Sequence, residues 1–352
     1  MNAATAPVSS RPLARILIVK LSSLGDVVHA MPVVHDIRAA HPEVSIDWVV
    51  EPGFAPLLRR MQGLAEVIGC PLRSWTRAWW TGAVRAQVRA FRVRLRRHRY
   101  DAVLDLQGLT KSAIVTRLAD GVSYGLANRT EGASHEWPAR WLVDHAIRIE
   151  PRVHALDRSR ELAARALGYR VAGAPVFGLE PAIHGEQPDA HGLEPDVRGP
   201  QPDLPTVLLV HGSSRADKLW PEADWAALGR RAIADGWSVA LPQSGAVEHA
   251  RAERLAAALG PRAAVWPELD LGAVVDRMRG VQGVIGVDSG LSHIAVALGL
   301  PHVQLYNHPT AWRTGPLEIH GHRDQVSIEA LPAPALDEVW RVWQRVRPER
   351  AR

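Results

Sequence analysis

Ile16-Leu-Ile-Val-Lys-Leu-Ser-Ser-Leu-Gly-Asp26 decides how the N-terminal half of this chain is read. The aliphatic run Ile16–Val19 predicts a strand buried on both faces, as in a parallel sheet. Gly25 permits a sharp turn, and an amphipathic helix follows from about Val27. Open α/β sheets bind ligands just outside the carboxyl ends of their strands, which is where Lys20, Ser22, Ser23 and Asp26 then fall. The stretch therefore offers a lone carboxylate, small hydroxyls and free helix amides at one edge. Asp26 has a second reading, the N-cap of the helix it opens. The spacing is not that of a P-loop, and a single glycine is not a dinucleotide fingerprint.

At 352 residues the chain exceeds one comfortable hydrophobic core, so two domains are expected. No stretch has the length and apolarity of a membrane span, and the first residues lack the apolar core of a secretory signal. The lone cysteine, Cys70, excludes an intramolecular disulfide framework. It points to a reducing compartment, hence the cytoplasm. Charge is distributed unevenly: Arg73 to Arg99 holds nine arginines and no acid, interleaved with Trp75, Trp79, Trp80 and Phe91. A solvated basic helix face is one reading. A surface for an anionic partner is the other, either nucleic acid or an anionic membrane or glycolipid headgroup. Aromatics beside arginines favour the second partner.

Outward from the first strand, apolar runs predict further strands at Ile46–Val50 and Ala102–Leu106. Helical periodicity covers Val27–Ala40, interrupted at Pro32, and recurs at Ala83–Arg97, Ser112–Leu118 and His154–Leu167. Three G-x-x-P-D pentads start at Gly185, Gly192 and Gly199, inside a Pro/Gly-rich stretch too poor in aliphatic residues to form a core. That stretch is expected to link the domains. The α/β alternation then restarts, with strands at Thr206–Val210, Ser238–Leu241, Gly283–Val287 and Val303–Tyr306. The last apolar stripe, Leu336 to Val346, is a helix. The expected division is residues 1–180, a linker at 181–205, a second domain at 206–330 and a C-terminal helix at 331–352 that packs back on the first domain. Two parallel-sheet halves imply a cleft, the usual place for a two-substrate enzyme.

The second half carries two charged turns at strand ends. Behind Thr206–Val210 comes His211-Gly-Ser-Ser-Arg-Ala-Asp-Lys218-Leu-Trp-Pro221, whose glycine, hydroxyls and lysine suit an anion. A polar loop with Trp220 plugging the core is the alternative. Behind Gly283–Val287 comes Asp288-Ser-Gly-Leu-Ser-His293, which presents free amides at a helix N-terminus, a favourable place for phosphate. Here Asp288 has the alternative of a helix N-cap.

These motifs occur in a fixed order: strand-K-x-S-S-x-G-D-x-x-H-x-x-P, then D-x-Q-G-L-x-K-S-A from Asp105, then S-R-x-D-K-x-W-P, then V-D-S-G-L-S-H. In that order the chain resembles the lipopolysaccharide heptosyltransferases of glycosyltransferase family 9. It is more similar to their type I branch than to type II. The resemblance implies an α/β GT-B architecture: two Rossmann-like parallel-sheet domains facing a cleft, acceptor on the N-terminal domain and nucleotide sugar on the C-terminal one. It implies ADP-L-glycero-β-D-manno-heptose as donor and the Kdo of Kdo-lipid A as acceptor, met at the inner face of the cytoplasmic membrane by a cytoplasmic, peripherally associated enzyme.

By motif, Asp26 becomes the general base. Ser213, Ser214 and Lys218 contact the diphosphate or sugar, with Lys218 catalytic. Asp288, Ser289, Gly290 and His293 hold heptose and phosphates, Glu248 the ribose, and Leu269 lies at the adenine. Ser22, Ser23, Lys111, Arg73 and Arg77 form the acceptor side. No D-x-D carboxylate pair stands at a strand end, so neither a metal nor a cofactor is expected. A second-heptose or other family 9 sugar transferase is the near alternative. A nucleotide-sugar epimerase is the distant one. With no nucleic-acid module in the sequence, nucleic acid is not an expected partner.

Overall fold

The computed structural model describes residues 12–179, 204–321 and 324–348. The chain divides into two compact units after Gly178. The G-x-x-P-D pentads lie outside the described residues. The first unit holds β1 (Arg15–Val19), β2 (Ser45–Val50), β3 (Glu66–Gly69), β4 (Arg99–Asp105), β5 (Asp120–Leu126) and β6 (His145–Ile147). They form one sheet in the order β3-β2-β1-β4-β5-β6, parallel throughout. The second unit repeats the pattern with β7 (Thr206–Val210), β8 (Ser238–Leu241), β9 (Ala263–Val265), β10 (Gly283–Val287), β11 (His302–Tyr306) and β12 (Gln325–Glu329). Its order is β12-β11-β10-β7-β8-β9, again all parallel. Numbered within its own unit, each sheet runs 3-2-1-4-5-6, the doubly wound order.

That order has one reversal point per unit, between β1 and β4 and between β7 and β10. Ligands of such sheets bind outside the carboxyl ends at the reversal, where successive crossovers leave on opposite faces and open a crevice. Ile16–Val19 are wholly buried, the burial that a strand covered on both faces demands. Leu17 and Val19 face Phe91, Leu95 and Val115, carried by the helices Gly82–Leu95 and Thr110–Leu118. The helical run after β1 is broken where Pro32 stands, giving Leu24–Ala30 and Pro32–Ala40.

One expectation is corrected. The C-terminal helix Leu336–Val346 packs on the second sheet, against β11 and β12, rather than returning to the first domain. Its Trp343 is fully buried in the cluster of Trp237, Val303 and Leu305, edge-to-face with Trp237 at 5.3 Å. Val339, Val342 and Val346 are buried in the same cluster, so this helix's apolar stripe is satisfied locally. Gly283 makes the fit possible, because a Cβ there would lie 2.5 Å from the Trp343 ring. Gly283→Ala is expected to destabilise the fold by about 2 kcal/mol, a usual overpacking cost; urea unfolding measures it.

Candidate active site

Register sets the first edge. Val19 of β1 pairs with Asp105 of β4, so the chain leaves both strands side by side. Gln107 joins the two exits, its Oε1 accepting from the Leu21 amide at 2.8 Å. Lys20 is buried and donates to the Leu106 carbonyl at 3.1 Å. Asp105, also buried, accepts from the amides of Gln107 (2.9 Å) and Gly108 (3.2 Å) and from the Ser112 hydroxyl (2.9 Å). This stiff double turn carries Ser22, Ser23 and the start of the first helix.

Asp26 is not the cap of that helix. Ser23 holds the cap position, and Asp26 follows in the first turn, accepting from the Ser23 amide at 3.2 Å and hydroxyl at 2.9 Å. Two buried cations flank the other carboxylate oxygen, Lys20 Nζ and Arg158 Nη2, each at 3.7 Å. The Asp26 side chain itself is 37% exposed, so it presents a fixed anion at the sheet edge. Burial works against its charge, but Lys20, Arg158 and the Ser23 hydrogen bond outweigh it and hold the carboxyl far below its usual range. Burial pushes the Lys20 ammonium down to about 8, with Asp26 opposing and Arg158 adding to the fall.

Sequence reasoning missed Arg158. It comes from the helix Ala155–Leu167, more than a hundred residues after Asp26. A bidentate pair clamps that helix in place, Arg160 donating to both oxygens of Asp36 at 2.7 and 2.8 Å. The available signal was two arginines falling on the helix's buried positions.

The second edge is built the same way. Behind β7, a 3-10 turn Ala216–Lys218 aims Lys218 Nζ at Asp288 Oδ2, 2.5 Å away. His293 Nε2 lies 3.4 Å from Asp288 Oδ1. Asp288 is buried, and burial raises its carboxyl. His293 and Lys218 more than reverse this and keep it ionised. The helix cap is Ser289 rather than Asp288, and Gly290 opens the helix Gly290–Ala297. Ser213 donates to the Asp288 carbonyl at 3.4 Å, so the structure brings Ser213, Lys218, Asp288, Ser289, Gly290 and His293 together. Ser214 is exposed on the same loop. Trp220 also plugs the core as its alternative reading has it, edge-to-face with Trp225.

Glu248 joins this edge from the helix Gly245–Leu259. It lies so close to Gly212 that a Cβ there would sit 2.4 Å from its Oε1. Its carboxylate also accepts from the Ser244 amide at 3.0 Å. Leu269 is half-buried just before the helix Leu271–Met278, in the segment that follows β9. On the first unit Ser22 is buried, while Arg73, Arg77 and Lys111 are exposed at the starts of the segments following β3 and β4.

The depressed carboxylates make an acid-stability prediction. Unfolded Asp26 and Asp288 bind protons below about pH 4, where the folded forms still resist them, so both stabilise the fold above that pH and lose this contribution as pH falls. Asp105 acts oppositely, burial having raised it to about 6, so its ionisation costs stability as pH rises towards that value. Urea unfolding of Asp288→Asn is therefore expected to show a shallower loss of stability below about pH 4 than the parent.

Residues 88–334 match glycosyltransferase family 9 (heptosyltransferase). The chain belongs to glycosyltransferase family 9. It is 36% identical over 298 residues to lipopolysaccharide heptosyltransferase 1 of Escherichia coli K12, covering 83% of this chain and 87% of that one. To lipopolysaccharide heptosyltransferase 1 of Pseudomonas aeruginosa it is 35% identical over 302 residues, 86% and 81% of the two chains. E. coli heptosyltransferase WaaC with ADP superposes with a TM-score of 0.78 at 32% identity, over 94% of this chain and 98% of that one. The protein is thus a glycosyltransferase, and its two Rossmann-like sheets place it in the GT-B class.

Proposed function

We propose that the chain transfers L-glycero-D-manno-heptose, with inversion, from ADP-heptose to the Kdo of a Kdo-lipid A acceptor in lipopolysaccharide inner-core synthesis. The observation that carries this reading is the pair of prepared sheet edges, an ionised exposed Asp26 on one and the Lys218–Asp288–His293 cluster on the other. Kinship supports the sugar: E. coli WaaC has been solved with ADP-2-deoxy-2-fluoro heptose, at 33% identity to this chain. The greater likeness to heptosyltransferase 1, 36% against 26% for E. coli heptosyltransferase 2, favours the first heptose over the second.

In this reading each edge serves one side of the transfer, the first the acceptor and the second the donor. Asp26 accepts the proton of the attacking Kdo hydroxyl as its oxygen bonds to the anomeric carbon. Its low basicity is no obstacle, because an alcohol grows acidic as that bond forms. The departing ADP gains charge on its diphosphate, and Lys218 with the Ser289 and Gly290 amides meets it. Asp288 holds Lys218 and His293 at their stations. Ser22, Ser23, Lys111, Arg73 and Arg77 take the acceptor's hydroxyls, carboxylates and phosphates. The enzyme works at the cytoplasmic face of the inner membrane, where such a glycolipid is exposed. Among the described residues no helix is long and apolar enough to cross a membrane.

Incubation with ADP-heptose and Kdo-lipid A, read by mass spectrometry, is expected to show one added heptose and ADP release that depends on acceptor. Transfer only to an already heptosylated acceptor would move the chain to the second step. ADP-sugar turnover without acceptor would favour an epimerase. Gly212→Ala gives a finer check on the donor site. The new methyl displaces the Glu248 carboxylate, and losing its hydrogen bond to the ribose is expected to weaken ADP binding about tenfold, by calorimetry, with the fold retained.

A further inference from the structure

The chain has thirteen tryptophans, and the exposed ones are not scattered. Trp79, Trp80, Trp137 and Trp141 are 60–69% exposed. The other nine are buried or half-buried. All four exposed rings belong to the first unit, and they border one layer of it. Trp79 and Trp80 stand between the helices Leu72–Arg77 and Gly82–Leu95, in the crossover that leaves the carboxyl end of β3. Helix Gly82–Leu95 shares a face of the sheet with helix Thr110–Leu118, through Phe91, Leu95 and Val115. Helix Thr110–Leu118 packs in turn on the 3-10 segment Trp137–Trp141. The Glu136 amide donates to the Gly108 carbonyl at 3.0 Å, which ties that segment to the carboxyl end of β4. Between the two tryptophan pairs, Ile114 is 51% exposed on the same helix face as Lys111 and Arg117.

The charge of this layer is equally one-sided. Arg85, Arg89 and Arg92 are exposed, and none has a carboxylate partner among the described residues. Arg140 lies over both Trp137 and Trp141, at 4.7 and 5.2 Å from the ring centres. The acids that border the layer are engaged: Glu66 by Arg94, Asp144 by Arg117, and Glu136 by the Thr110 amide. Folding does not require four large apolar rings in water, and an apolar patch rimmed by unpaired cations marks an interaction surface. Tryptophan favours the bilayer interface, where its ring is buried and its N–H stays wet. Arginine beside it meets lipid phosphate.

We propose that this layer is a docking surface for an anionic lipid bilayer, with the two tryptophan pairs entering the interfacial zone and the arginines resting on phosphates. The surface lies at the same sheet edge as Asp26, so docking would bring a membrane-borne acceptor to the base. The inference deepens the glycolipid-acceptor reading and rests on it for that orientation alone. Nucleic acid would account for the arginines, but not for two separated pairs of rings with Ile114 between them.

The test is flotation of the full chain with vesicles of phosphatidylcholine alone or mixed with phosphatidylglycerol. Strong partitioning is expected only on the mixed vesicles, and it should weaken as salt screens the arginines. Trp79→Ala with Trp80→Ala, and separately Trp137→Ala with Trp141→Ala, should each lower partitioning about tenfold. Arg85→Glu with Arg89→Glu should lower it roughly twentyfold or more. These side chains are exposed, so melting temperatures should stay at the parent value. Transfer to a deacylated, water-soluble acceptor should persist in all three variants. Equal uptake by both vesicle types, survival of binding in both tryptophan variants, or preference for nucleic acid over vesicles would overturn the proposal. If the parent chain floats as expected yet transfers no heptose, the functional reading fails and the docking surface stands.

Discussion

Asp26→Asn is expected to lower kcat about 10²–10⁴-fold, the range for removing a positioned general base, while ADP affinity is unchanged. The asparagine keeps the size of the side chain and an oxygen for the Ser23 amide, so the first turn of the helix persists. What it removes is the anion between two buried cations, Lys20 and Arg158, each 3.7 Å away. Those cations then repel one another with less compensation, and Lys20, already pushed down to about 8 by burial, should give up its proton more readily still. Because the parent carboxyl is held so low, Asp26 contributes no acid limb to the rate between about pH 5 and pH 8. Steady-state rates across that range, with ADP calorimetry alongside, are the measurement. A variant retaining a tenth or more of kcat would show that another group takes the proton.

The second large effect is Lys218→Ala, for which a loss of about 10²–10³ in kcat is expected, the usual result of deleting one preorganised donor to a developing charge. The difficulty is that Lys218 also supports Asp288, with Nζ and Oδ2 2.5 Å apart. Its removal leaves a buried carboxylate held by His293, so part of any defect could be structural. A double-mutant cycle with Asp288→Asn separates the two roles. If Lys218 acts only by neutralising Asp288, the double variant should regain most of the activity lost in the single one. If Lys218 meets the leaving diphosphate, the double variant stays as slow as Lys218→Ala. Lys218→Arg keeps the charge but spreads it over a planar fork, and partial activity is expected.

The strands that sequence reading found are the interior ones. β1, β2, β4, β7, β8, β10 and β11 announce themselves as aliphatic runs, because a strand covered on both faces has no polar side to show. The four that terminate the sheets, β3, β6, β9 and β12, were not read. An edge strand needs less apolar surface, and Glu66–Gly69 or His145–Ile147 is too short and too polar for a periodicity to register. β5 was missed for a related reason, since Asp-Gly-Val-Ser-Tyr-Gly-Leu breaks its apolar run with two glycines. The alternative reading of Asp26 and Asp288 as helix caps fails by position, since Ser23 and Ser289 hold the caps.

What the sequence by itself determined is the class, two parallel α/β halves, with the local turns behind β1, β7 and β10 and the residue types that stand there. Those depend on neighbours within a few positions, where periodicity and turn chemistry act. Only the tertiary structure decided that Lys20 is buried, that Arg158 arrives from a distant helix to flank Asp26, that Lys218 reaches Asp288, and that the C-terminal helix is used up on its own sheet. Each depends on which elements pack together across long stretches of chain. The charge state of a carboxylate follows from the cations and the burial that packing brings to it, and no local pattern carries that information.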